Sequence, residues 1–111
     1  MRLLVPITEN KGLNSEISEH FGHCSHFAIY EQGKELEIIK NQLDHSNPKS
    51  TPVDQIMRFQ PTVVFAKEIG QKAIKLFKEK GVSLKTENYN TLREVIENIN
   101  DLKEISQGCG K

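Results

Sequence analysis

The chain has 111 residues, of which 36% are hydrophobic and 27% charged, enough for one domain with a single core. Fifteen basic residues balance fifteen acidic ones, so neither nucleic acid nor an anionic membrane is expected as the main partner, because both select a basic surface. No apolar run approaches the roughly 20 residues that cross a bilayer. The short run at residues 3–7 ends in polar Thr8-Glu9-Asn10 rather than extending into an export signal, so a cytoplasmic location and reduced thiols are expected.

Residues 2–7 (Arg-Leu-Leu-Val-Pro-Ile) read as a buried strand, and the polar stretch 8–19 as a surface loop. Residues 27–31 and 35–40 flank Gln32-Gly33-Lys34 and predict a hairpin. A loop over 44–52 leads to Thr51-Pro52-Val53-Asp54, which supplies an N-cap, a first-turn proline and an acid three residues after the threonine. The short helix that follows has Val53, Ile56 and Met57 on one face and stops at Pro61. Residues 62–66 suit a central strand, and Ile69, Ala73, Leu76 and Phe77 give a helix over 69–80 that Gly81 ends. Lys72, Lys75, Lys78 and Lys80 read as its solvated face. Residues 82–84 form a further strand, parallel to the last through a right-handed crossover. Thr91 and Glu94 then open a final helix whose stripe runs Leu92, Val95, Ile96, Ile99, Leu102. The order implies a mixed five-stranded sheet carrying helices, with residues 1–105 as a single domain and 106–111 as a short flexible tail.

The densest chemistry lies in His20-Phe21-Gly22-His23-Cys24-Ser25-His26. Imidazole and thiolate are the borderline and soft donors that hold zinc, copper(I) or iron–sulfur species, so His20, His23, Cys24 and His26 are metal-ligand candidates. Each has a bland alternative. The histidines can be solvated loop residues and Cys24 a small core filler. Gly22 is expected to permit a sharp turn through positive φ. Cys24 and His26 would share one face of the next strand. His45, alone in its loop, reads as structural or inert, and Cys109 as either tail or a thiolate that closes over a ligand. A Cys24–Cys109 disulfide is not expected.

Catalysis finds little support. A Cys–His nucleophile would need Cys24 in line with His20 or His23, which adjacency in the chain rarely gives. Two-metal hydrolysis needs carboxylates converging at strand ends, and the first strand carries none. Lys67-Glu68-Ile69-Gly70 precedes a helix, so backbone N–H groups at Gly70 and Gln71 can meet an anionic ligand.

With these residues in view, the chain resembles the dinitrogenase iron–molybdenum cofactor biosynthesis family, the nitrogenase accessory factor-like domains. The likeness rests on the Leu3-Leu4-Val5-Pro6-Ile7 strand and on Ile17-Ser18-Glu19-His20-Phe21-Gly22 followed by Cys24 and Phe27. Ile69-Gly70-Gln71-Lys72-Ala73 and Gly81-Val82 extend it. It implies a three-layer ribonuclease H-like α/β fold, with helices on both sheet faces and no nuclease chemistry. It implies a non-catalytic carrier of an iron–sulfur cluster or iron–molybdenum cofactor precursor, served by cluster donor and acceptor proteins. On that view His20 and Cys24 lead as ligands and Gly22 shapes their loop. Glu68 stands where the family usually has glycine and brings negative charge to the expected anion site. A regulatory or protein-interaction domain without metal binding is the alternative.

Overall fold

The leucine-rich run at the N-terminus becomes the middle of the sheet. In the computed structural model, which describes residues 1–105, β1 (Arg2–Ile7) is buried from Leu3 onward. It is flanked by β2 (His26–Glu31), running antiparallel, and by β4 (Val63–Phe65), running parallel. A strand covered on both faces has no room for polar alternation, hence its unbroken apolar sequence. β3 (Glu37–Lys40) pairs with β2 across a turn in which Gly33 takes φ +85°. β5 (Ser83–Thr86) lies parallel to β4.

The sheet has six strands rather than the expected five, in the order β3-β2-β1-β4-β5-β6. The addition is β6 (Lys103–Glu104), antiparallel to β5. Two charged residues carry no hydrophobic alternation, which is how natural edge strands are protected and why this one is invisible in sequence. The expected last helix is also shorter than its apolar stripe. That helix, α3 (Leu92–Glu97), stops at Asn98, whose backbone leaves helical geometry at φ −116° while its side chain donates to Glu94 O at 2.8 Å. A 3-10 turn (Ile99–Asp101) follows, and Leu102 still packs against the core.

Helices cover both faces. α1 (Pro52–Ile56) and α2 (Gln71–Glu79) bury Val53, Ile56, Ile74 and Phe77 against Leu4, Phe27 and Val64. α3 buries Leu92 and Val95 against Leu3, Val5 and Phe65. Thr51 with Asp54, and Thr91 with Glu94, form reciprocal capping boxes that satisfy backbone donors at the starts of α1 and α3. Among the described residues no helix is long and apolar enough to cross a membrane. Cys109 and the tail expected over 106–111 lie outside the described residues.

Candidate functional site: a histidine-lined cleft

The loop between β1 and β2 is organised by what it buries. Phe21, 7% exposed, sets its ring 5.8 Å from Phe27 and 5.7 Å, edge-on, from Phe77. Buried Ser18 fixes the approach: its hydroxyl donates to His20 O (3.1 Å) and accepts from His20 N–H (3.3 Å). With Phe21 turned inward, His20 and His23 stay exposed at the surface. His20 forms an isolated parallel bridge with Glu68, and its Nδ1 lies 3.8 Å from Glu68 Oε1.

A cleft of about 310 Å³ opens here, beyond the carboxyl end of β4, a usual ligand position in α/β sheets. His20, His23, His45 and Glu68 line it, over an apolar floor from Phe21, Val53, Ile69 and Ala73. Gly70 also lines it as the N-cap of α2 and offers no side chain to the helix's first N–H groups. Gln71, its first helical residue, is exposed and outside the cleft lining.

His45, which reads from sequence as structural or inert, also lines the cleft. Its ring stacks on His23 with centroids 4.6 Å apart and 10° between the planes. Its Nε2 lies 3.0 Å from Gly22 O, which fixes the proton on that nitrogen because a carbonyl can only accept. The loop carrying it is held from below by buried Gln55 of α1. That amide accepts from Asp44 N–H (2.8 Å) and donates to Asp44 O (2.9 Å) and Ser50 O (3.1 Å). No sequence signal reveals this, since His45 is brought to His23 by hydrogen bonds between distant loops.

Gly22 matters for a different reason than expected. Among the described residues the positive-φ glycines are Gly12, Gly33 and Gly81. At Gly22 a Cβ would come within 3.2 Å of His45 Cε1, so the missing side chain makes room for that ring.

Two donors stand apart from the cleft. Cys24 is 6% exposed, packed with Phe21, Phe27 and Ile29, and its Sγ lies 3.8 Å from Asn41 Nδ2. Burial pushes its thiol up to about 11, against weaker opposing hydrogen bonds from backbone and Asn41, so it is not a thiolate at neutral pH. His26 opens β2, with its Nδ1 2.8 Å from Ser25 Oγ. The strand begins only at His26, and Phe27 and Ile29 face the α1–α2 side. Alternation therefore turns His26 to the opposite face from Cys24, correcting the expectation that they share one. Among the described residues no group of three or more His, Cys, Asp or Glu could by itself hold a metal ion. The cleft thus presents a few imidazoles to an incoming species rather than a closed shell.

These features define a class: a small mixed α/β domain whose donors gather on an open cleft beside a helix start. The chain belongs to the family described as dinitrogenase iron-molybdenum cofactor, whose model matches residues 1–102. An uncharacterized protein of Methanocaldococcus jannaschii is 28% identical over 102 residues, covering 86% of this chain and 82% of its own. A Thermotoga protein described as a "putative NifB protein" superposes with TM-score 0.74 at 24% identity, over 93% of this chain and 91% of that one. The apo orange protein of Desulfovibrio gigas superposes with TM-score 0.81 at 15% identity, over 96% and 94%. These two structures show a shared fold.

Proposed function

We propose that the protein is a non-catalytic carrier that holds an iron–sulfur-based cluster or an iron–molybdenum cofactor precursor in the cleft. His20 is the principal ligand, with His23 and His45 beside it. The observation that carries this reading is that three imidazoles line one cleft with an apolar floor. Imidazole suits iron, and the uncapped start of α2 favours the negative charge of a sulfide-rich cargo. Few protein bonds also let a cargo leave for an acceptor protein. Cys24 takes no part, because reaching it would require unpacking the core around Phe21 and Phe27. The scaffold is of the ribonuclease H-like kind, a reading supported by the order β3-β2-β1-β4-β5 with β2 antiparallel to both neighbours.

Anaerobic reconstitution with iron and sulfide tests the proposal. Wild type and Cys24→Ala should retain iron and its visible absorption after desalting, whereas His20→Ala and His45→Ala should lose most of both. Equal retention by all four proteins removes the carrier reading. The lack of a three-donor group among the described residues favours one alternative, a protein-interaction domain without metal. That domain would capture its partner unaffected by chelators and would retain no iron in any variant.

A further inference from the structure

Among the described residues the sheet ends at one side in β6, two charged residues long, and at the other in the four-residue β3. Asn41 N–H donates to Ser25 O at 2.9 Å. By the two-residue alternation of an antiparallel ladder, the backbone groups of Glu37 and Ile39 then face β2, and those of Ile38 and Lys40 point outward.

Beside this edge lies a second cavity of about 460 Å³, larger than the histidine cleft. Phe27 forms its floor, and Ile39, Leu43 and Phe59 form apolar walls. α1 is only five residues long and continues into the 3-10 segment Met57–Phe59, whose Arg58 and Phe59 line the cavity. Lys40 and Arg58 stand at its rim. Among the described residues neither forms an ion pair and no carboxylate lines the cavity.

We propose that the β3 edge and this cavity bind an extended peptide segment of a partner protein, carrying a large apolar residue two positions away from an Asp or Glu. The segment adds to the sheet by pairing with the outward N–H and C=O groups of Ile38 and Lys40, the usual mode of strand addition. Residues two apart on a strand share a face. The apolar side chain therefore enters the cavity while the acid meets the Arg58 guanidinium, which binds carboxylates with two parallel hydrogen bonds. The inference does not depend on what the histidine cleft carries.

The test is a random dodecapeptide library displayed on phage and panned against the immobilised full chain. Enrichment of a large apolar residue two positions away from an acid is expected, and one selected peptide is then synthesised. Arg58→Glu, at an exposed position whose folding is checked by circular dichroism, should weaken that peptide at least tenfold. Replacing the peptide's acid by Lys should recover binding to this variant. N-methylation of alternate peptide amides should abolish binding, and the amides of Ile38 and Lys40 should gain exchange protection in the complex. Absence of any enriched pattern overturns the proposal, as does binding indifferent to Arg58→Glu or to N-methylation. A dimer of the chain alone that Ile38→Pro dissolves also overturns it, by assigning the edge to a second copy.

Discussion

The imidazole of His45 lies flat on that of His23, 4.6 Å away, and it can do so because residue 22 has no side chain. Gly22→Ala would set a Cβ 3.2 Å from His45 Cε1, tighter than ordinary contact. His45 is exposed on a loop, so the ring should yield rather than the backbone beneath it. Stability should change by less than about 1 kcal/mol. The stack should nevertheless open, moving the ring-proton resonances of His23 and His45 downfield, and iron retention should fall with it. Unmoved resonances would show that the ring absorbs a methyl group without displacement.

Cys24 offers a sharper separation between packing and coordination. With its thiol raised to about 11 by burial, only about one molecule in a thousand is thiolate at pH 8. In a Cys109→Ser background, native protein should therefore resist iodoacetamide for hours and react within minutes once unfolded. The raised pKa also sets a sign for stability. Below the ordinary thiol value of 9.0 both states keep the proton and the full stability remains. As pH climbs from there through about 11, the unfolded chain loses its proton first and stability falls. Rapid alkylation of the folded protein at pH 8 would mean that the thiol reaches solvent, and would restore it as a ligand candidate.

The elements legible in sequence are those whose cause is local. The strand at Arg2–Ile7, the glycine turn at Gly33 and both threonine caps each state their reason within a few residues. What was not legible depends on contacts between distant segments. β6 exists only because β5 offers it an edge. The role of Gly22 lies in the space that His45 occupies, not in its own dihedrals. Cys24 and His26 face opposite ways because regular strand geometry starts at His26, a boundary that alternation cannot reveal. A local cluster of donors thus drew attention to a loop that lines the cleft, but its neighbours in space, His45 and Glu68, came from elsewhere.

Gln55 is the residue that holds His45 in reach. Its buried amide makes three hydrogen bonds to the backbone of the 44–50 loop. Gln55→Leu keeps most of the volume and removes every one of them, leaving two carbonyls and an N–H to find water. A loss of roughly 1–3 kcal/mol is expected. Amide exchange at Asp44 should accelerate, and the His23 and His45 resonances should shift as in Gly22→Ala. Retained protection at Asp44 would mean that other contacts suffice to seat the loop.

Acid should loosen the fold through its helix starts. The Glu94 carboxylate accepts the N–H groups of Asn90 (3.0 Å) and Thr91 (3.1 Å), which hold its pKa below the ordinary 4.5. Asp54 is held below 3.8 first by Lys80, whose Nζ lies 3.1 Å away, and then by Thr51. Groups with depressed folded pKa values stabilise fully above their unfolded values, and that contribution is lost as pH falls through the folded ones. Glu94→Gln keeps an oxygen that can complete the capping box but removes the charge. Its urea midpoint should lie below that of wild type at pH 7, and the gap should close as both are titrated toward about pH 2 to 3. Thr91→Ala removes the other half of the box at a cost of about 1 kcal/mol, and that loss should persist at low pH because a hydroxyl does not titrate there. A gap for Glu94→Gln that stays constant across the titration would mean that shape rather than charge secures the start of α3.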